Sequence, residues 1–171
     1  MGSAAEAVHL ASEPSRTTHG AREAIDACRY FASLLVGAVR GVATEKLLSP
    51  RFSAIAGLWD DEPLVDTIDA VAAGSFLRKD PPEIRGTGPV VRTLEATRWA
   101  FAETDDVRSG ALRAVNLSDD ADTTGAVFGQ VAGAGYGEGA LGANSSGRLA
   151  RRDEIDALLD ALADAADRRA T

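Results

Sequence analysis

The sequence predicts an all-α protein, and three observations carry that prediction. The longer apolar segments repeat at i, i+3, i+4, i+7, the rhythm of a helix with one buried stripe. Strict apolar/polar alternation, the mark of a half-buried strand, is nearly absent. Aromatic residues make up only 5% of the chain and alanine is abundant, a composition that suits helices better than sheets.

Ala4, Val8 and Ala11 fall on one face, so residues 4–12 read as a short helix that Pro14 breaks. The polar run Ser15-Arg16-Thr17-Thr18-His19-Gly20 then reads as a connector. The first strong helix is expected from about Ala21 to Arg40, with Ala24, Ile25, Cys28, Phe31, Ala32, Leu35, Val36 and Val39 as its buried stripe and Gly41 as its stop. Thr44 and Glu45 open a short helix that ends before Pro50. Asp60 or Asp61 is expected to cap a helix carrying Leu64, Val65, Ile68, Val71 and Ala72, closed by Gly74. Three prolines and two glycines make residues 75–89 a long irregular loop, a kind of segment that is often functional in a compact domain.

Two helices follow, about Val90–Glu103 and Asp106–Asn116, with Trp99 and Phe101 read as core. Glu103, Asp105 and Asp106 read as a solvated junction with a cap rather than a ligand set. The next helix, ending near Tyr136, carries Gly125, Gly129 and Gly133 four residues apart. A glycine in a helix costs up to about 1 kcal/mol relative to alanine, so close approach of another helix is the expected reason. A plain amphipathic helix, Asp153–Arg168 with Ile155, Leu158, Leu159 and Leu162 on one side, ends the chain.

A chain of 171 residues suits one domain with a real core, residues 1–171. The formal net charge of -8 and the scatter of basic residues leave no stripe for a nucleic-acid backbone, so nucleic acid is not an expected partner. Cys28 stands alone, which excludes an internal disulfide, and on an apolar face a free thiol behaves as a small hydrophobe. Neither a signal peptide nor a membrane span is visible, and the cytoplasm is the default expectation.

The most informative string is Asn116-Leu117-Ser118-Asp119-Asp120-Ala121-Asp122-Thr123-Thr124-Gly125. Asp120, Asp122 and Thr123 offer two carboxylates and a hydroxyl on a turn that feeds a helix, oxygen ligands of the kind Mg²⁺ and Mn²⁺ prefer. Taken by itself, the string reads more readily as a helix cap, since Asp and Thr are ordinary N-cap residues. A calcium loop fails, because its twelfth position requires glutamate and Val131 stands there.

In wider context, Val90-Val91-Arg92-Thr93-Leu94-Glu95-Ala96, Trp99-Ala100-Phe101, Ala114-Val115-Asn116-Leu117, the Asp119–Gly125 block and Gly129-Gln130-Val131-Ala132-Gly133-Ala134 resemble the C-terminal signature of the ADP-ribosylglycohydrolase family. The segment Ser15–His19 with Ala27-Cys28-Arg29 is similar to an earlier part of that family. The resemblance runs from about residue 4 to 165. It implies an all-α orthogonal bundle, two Mg²⁺ or Mn²⁺ ions held between N-terminal and C-terminal ligand sets, and cleavage of the bond joining ADP-ribose to a protein side chain. By the same resemblance Asp120, Asp122 and Thr123 match the C-terminal metal set, and His19 matches a histidine that contacts ADP-ribose.

Several family features have no counterpart here. The N-terminal Gly-Asp-Ala-Leu-Gly-like and Thr-Asp-Asp-Thr-like segments, the acidic catalytic residue and a glycine-rich phosphate loop are absent, so no catalytic residue is assigned. Pro89 stands where the family usually has tyrosine, and Gly142 and Ser145-Ser146 replace an Ile-Pro and Trp-Leu pattern. The expectation is a truncated site with weak metal binding, little hydrolysis, and uncovered apolar faces that favour self-association or a complementing N-terminal half. A non-catalytic module binding ADP-ribose or a partner is the alternative.

Overall fold

Every regular element among the described residues is helical. The computed structural model describes residues 3–117, 120–141 and 149–170. The substitutions at Gly142 and Ser145-Ser146, and Ser118 and Asp119 of the carboxylate string, lie outside the described residues. The helices are α1 (Ala4–Thr18), α2 (Arg22–Val39), α3 (Thr44–Leu47), α4 (Leu58–Asp61), α5 (Asp66–Ala72), α6 (Val90–Ala102), α7 (Val107–Asn116), α8 (Ala121–Tyr136) and α9 (Arg152–Ala170), with 3₁₀ turns at Ser75–Arg78 and Glu138–Leu141. None is long and apolar enough to cross a membrane among the described residues.

The first helix runs six residues past the expected end. Pro14 lies inside α1 on its exposed side. The chain there recovers hydrogen bonds from side chains: Ser12 Oγ donates to the His9 carbonyl at 2.7 Å and Thr17 Oγ1 to the Pro14 carbonyl at 2.7 Å. A proline on an exposed face, with α1 laid along α2, does not suffice to end a helix. The polar run Ser15–Thr18 is therefore helical, and His19 is the residue at which α1 stops.

In α2 the length is as expected but the buried face is rotated. Val39 is 63% exposed and Phe31 and Leu35 are half-buried, while Asp26, Arg29, Tyr30, Ser33, Leu34 and Gly37 face inward. Hydropathy alone hides this, because the inward polar groups are all partnered. Asp26 accepts from Arg29 Nη1 at 2.9 Å, Arg22 Nε at 3.2 Å and the Val65 amide at 3.0 Å. Ser33 Oγ accepts from the Ala54 amide at 2.9 Å. The cap expected at Asp60 or Asp61 is also displaced: both lie in α4, and the start of α5 is held by Asp26 from 39 residues away.

The core gathers where α2, α6 and α8 meet, with Tyr30, Leu34, Leu94, Phe101, Phe128 and Val131 buried alongside Ile68, Val71, Phe76 and Ile84 from the intervening segments. Helix α6 is buried from Thr93 to Phe101, as its central place demands. Asp106 caps α7, its Oδ1 accepting the Ser109 amide at 2.9 Å, which holds its carboxyl below the usual carboxylate range.

The glycine stripe of α8 is explained only at Gly125, where an added Cβ would lie 2.9 Å from Val115 Cγ1. At Gly129 and Gly133 nothing lies within 4 Å, so the expected close helix approach is corrected there. The tighter glycines are Gly37 on α2, where an added Cβ would lie 2.6 Å from Phe52 Cζ, and Gly110 on α7. A Cβ on Gly110 would sit 2.2 Å from Phe128 Cζ and 2.6 Å from Thr104 Oγ1. Gly110→Ala is expected to cost about 1–3 kcal/mol in urea unfolding, the usual range for overpacking a rigid aromatic contact, whereas Gly129→Ala should be neutral or slightly stabilising. Equal effects at the two positions would contradict this packing.

Candidate functional site

One cleft of about 900 Å³ is walled by the end of α1, the first turns of α2, the Gly88–Pro89 loop and the start of α8. His19, Asp120 and Thr123 all line it. Residues about a hundred positions apart in sequence, singled out for different reasons, thus share one space.

His19 is set by the corner between α1 and α2. Its amide donates to the Ser15 carbonyl at 2.6 Å, Ser15 Oγ donates to the His19 carbonyl at 3.2 Å, and Nδ1 lies 3.0 Å from Thr18 Oγ1. The imidazole itself is exposed. Two of these contacts fix the backbone, and the third holds ring Nδ1 against Thr18 Oγ1.

Asp120 is set by a suture between two loops. The Gly86 amide donates to the Leu117 carbonyl at 3.3 Å and the Asp120 amide donates to the Gly86 carbonyl at 3.2 Å, a reciprocal pair that ties the 79–89 loop to the turn before α8. The Asp120 carbonyl accepts from the Thr124 amide at 3.1 Å and from Thr124 Oγ1 at 3.0 Å, and Thr124 is fully buried. The Asp120 side chain makes no capping hydrogen bond, although the residue occupies the N-cap position. The helix-cap reading of the string is corrected: the carboxylate is half-buried in the cleft wall and is not spent on helix amides.

Asp122 and Thr123 lie in the first turn of α8 and are exposed. Thr123 lines the cleft and Asp122 is not among its lining residues. No group of three or more His, Cys, Asp or Glu side chains arranged to hold a metal ion occurs among the described residues. Asp120 and Thr123 bring to the cleft oxygen donors of the kind a hard cation takes, and Asp122 stands outside its lining.

Two lining residues escaped the sequence reading. Glu23, in the first turn of α2, accepts from Thr67 Oγ1 at 2.6 Å. Cys28 lies one turn further along and also lines an apolar annex of about 120 Å³ with Phe31, Val90, Leu94 and Val127. The only available signal was period: 19, 23, 24 and 28 fall on the side of the α1–α2 corner that faces α8. Among the described residues no lysine or arginine lines the cleft. An anionic ligand would meet Glu23 and Asp120 there with no cation among those residues to offset them.

An all-helical chain with an oxygen-rich turn facing a histidine across a ligand-sized cleft is the class of protein that the fold and site define. The chain belongs to the ADP-ribosylglycohydrolase family, whose sequence profile matches residues 1–171. It is similar to an ADP-ribosylarginine hydrolase, Tri1, of Serratia proteamaculans (strain 568), with 34% identity over 148 residues, 86% of this chain and 38% of that protein. A protein of the same name from Pseudomonas putida (strain GB-1) is 34% identical over 152 residues, 89% of this chain and 38% of that one. A solved structure described as an ADP-ribosylglycohydrolase-related protein complex superposes with a TM-score of 0.77 at 42% identity, covering 88% of this chain and 50% of that chain. The chain thus spans well under half the length of the curated relatives it matches.

Proposed function

We propose that this chain supplies the C-terminal wall of an ADP-ribosylglycohydrolase site, and that it is weakly active or inactive by itself. The reaction is hydrolysis of the glycosidic bond between ADP-ribose and a protein side chain, with the arginine linkage the first to test because both curated relatives carry that name. The observation that supports this best is the single cleft shared by His19, Asp120 and Thr123.

In this reading Asp120, Asp122 and Thr123 would hold Mg²⁺ or Mn²⁺, which when bound orients the ligand and stabilises charge developing at the scissile bond. His19 contacts the ADP-ribose. The acidic lining, without arginine among the described residues, argues for the ion: a diphosphate enters beside Glu23 and Asp120 only if a cation intervenes. Three oxygen ligands leave most of an octahedral sphere to water, so affinity is low until a segment outside this chain contributes its own carboxylates.

Calorimetric titration of the chain with Mn²⁺ is expected to give affinity weaker than micromolar, and release of ADP-ribose from an ADP-ribosylarginine protein is expected to stay near background with or without Mn²⁺. Adding the polypeptide that corresponds to the rest of the relatives should raise Mn²⁺-dependent release, and Asp120→Asn in this chain should abolish that gain. Micromolar Mn²⁺ binding by the isolated chain would overturn the incomplete-site reading. Tight ADP-ribose binding with no release in any combination would favour a non-catalytic binding module.

A further inference from the structure

Three arginines line a second cleft, which among the described residues shares no lining residue with the one holding His19 and Asp120. It has a volume of about 570 Å³ and opens between α1, α2 and the 55–62 segment, with Arg16, Arg22 and Arg29 in its wall. Val8 and Ile25, both buried, and Ile55 and Leu58, both half-buried, give it an apolar side. Three like charges on one wall repel unless anions sit among them.

The carboxylates within reach leave most of these donors available. Asp26, fully buried, accepts from Arg29 Nη1 at 2.9 Å, Arg22 Nε at 3.2 Å and the Val65 amide at 3.0 Å. Glu13 accepts from Arg16 through Nε, at 3.2 Å. The Nη groups of Arg16 and Arg22 thus have no hydrogen-bond partner among the described residues, and both side chains are more than half exposed. Arg29 is the fixed member. It is 7% exposed, lies over the Trp59 ring at 5.6 Å from its centroid, and its Nη2 donates to Glu62 Oε2 at 2.5 Å. The Glu62 side chain is 65% exposed, so it can turn to water at small cost and leave that position to another anion.

We propose that this cleft binds a small organic phosphomonoester. A guanidinium offers its paired N–H groups to phosphate oxygens bidentately, and Arg16 and Arg22 each hold Nη donors ready for that contact. Arg29 supplies the third cation once Glu62 gives way. A phosphate monoester carries close to two negative charges at neutral pH, which three guanidiniums answer better than the single charge of a carboxylate. Val8, Ile25, Ile55 and Leu58 receive the organic body, for which the volume leaves room. Arg16 and Arg22 stand three residues on either side of His19, yet the site uses neither His19 nor Asp120 nor Thr123. It stands or falls separately from the hydrolase reading.

Calorimetric titration of the full chain with phenyl phosphate provides the test, in buffer containing EDTA so that no divalent cation serves the other cleft. Saturable binding is expected, with a dissociation constant of about 1 mM or below. Inorganic phosphate has the head without the body, and benzoate has the body with a single charge. Each should bind at least about threefold more weakly. Arg16→Gln with Arg22→Gln should weaken phenyl phosphate binding at least about tenfold, with a nearly unchanged melting curve because both side chains are exposed. Glu62→Gln removes the competing carboxylate and should tighten binding about threefold, the contribution of one exposed ion pair. A bridge between Arg29 and Glu62 that served structure alone would give no such gain. Absence of saturable binding overturns the proposal, as does benzoate matching phenyl phosphate. Binding that ignores the arginine pair but is lost in Asp120→Asn belongs to the other cleft and overturns it too. If the arginine variant unfolds, Glu62→Gln decides, and an unchanged affinity sinks the proposal.

Discussion

Arg98→Met should lower the unfolding free energy by about 1–3 kcal/mol, the cost of leaving buried acceptors without their donor. Arg98 is 2% exposed, and its hydrogen bonds among the described residues go to a phenol and to backbone carbonyls. Its Nη1 donates to Tyr30 Oη at 2.5 Å and to the carbonyls of Val71 and Ala72 at 3.0 and 3.1 Å, and Nη2 reaches the Leu47 carbonyl at 3.4 Å. The guanidinium also lies over the rings of Phe76 and Tyr30, 4.5 and 5.3 Å from their centroids.

These contacts show how a lone cation is tolerated in the core. Val71 and Ala72 end α5, where unpaired carbonyls accumulate partial negative charge. Arg98 satisfies those carbonyls, and two ring faces add cation–π attraction. Burial pulls the guanidinium pKa down and pushes the Tyr30 phenol up, with the mutual attraction of the pair opposing both shifts. Methionine fills the volume but donates nothing. The Val71 and Ala72 carbonyls keep the Gly74 and Arg51 amides as donors at 3.1 and 2.7 Å, so the loss falls chiefly on the buried Tyr30 hydroxyl and the Leu47 carbonyl. For a chain of this length the loss should lower the melting temperature by about 5 °C. Arg16→Met, an exposed arginine paired only with exposed Glu13, is the control and should be silent. A loss below about 1 kcal/mol at Arg98 would mean that water replaces the guanidinium, and the packing argument would fail.

The sequence announced helices well and faces poorly, and the difference has one physical cause. Periodicity reports which side of a helix is greasy, and α6 and α7 start and stop, and α8 stops, within a residue or so of expectation because caps and glycines act locally. Burial of α2 was decided by long-range polar pairing instead. Asp26 reaches Val65, Ser33 reaches Ala54 and Tyr30 meets Arg98, and no window of α2 contains any of those partners. The candidate site divides the same way. Asp120, Asp122 and Thr123 form a contiguous string whose donor chemistry is legible. His19 was legible only by resemblance, and Glu23 and Cys28 enter the cleft through the α1–α2 corner. The Gly86 suture that places Asp120 depends on a loop with no period at all. Leu112, Leu158, Leu159 and Leu162 stand more than half exposed.

That loop is held at both ends by one carboxylate, and its removal is the second large effect expected. Glu95, 2% exposed on α6, accepts from Ser75 Oγ at 2.7 Å and Lys79 Nζ at 2.5 Å before the loop, and from Arg92 Nη1 at 3.1 Å after it. Burial by itself would raise its pKa. The hydrogen bonds from Lys79 and Ser75 and the nearby charges of Lys79 and Arg92 outweigh burial and hold it below the ordinary glutamate value. A depressed folded-state pKa means that the carboxylate contributes stability above its unfolded value, about 4.3, and that this contribution fades as pH falls through the folded value. Glu95→Gln should therefore lose about 3 kcal/mol at pH 7, a figure discounted from three charge-assisted bonds because Lys79 and Arg92 can turn to water. The variant's deficit should shrink as pH falls below about 4.3, the unfolded value, and on through the lower folded one, as the wild-type side chain itself takes up a proton. Amide exchange supplies an independent readout: Gly86 and Asp120, whose amides close the suture, should lose protection before the α2–α6–α8 core does. If the deficit stays constant across the acid range, Glu95 is not the charged clamp of the loop, and the placement of Asp120 must be traced to the Gly86 hydrogen bonds alone.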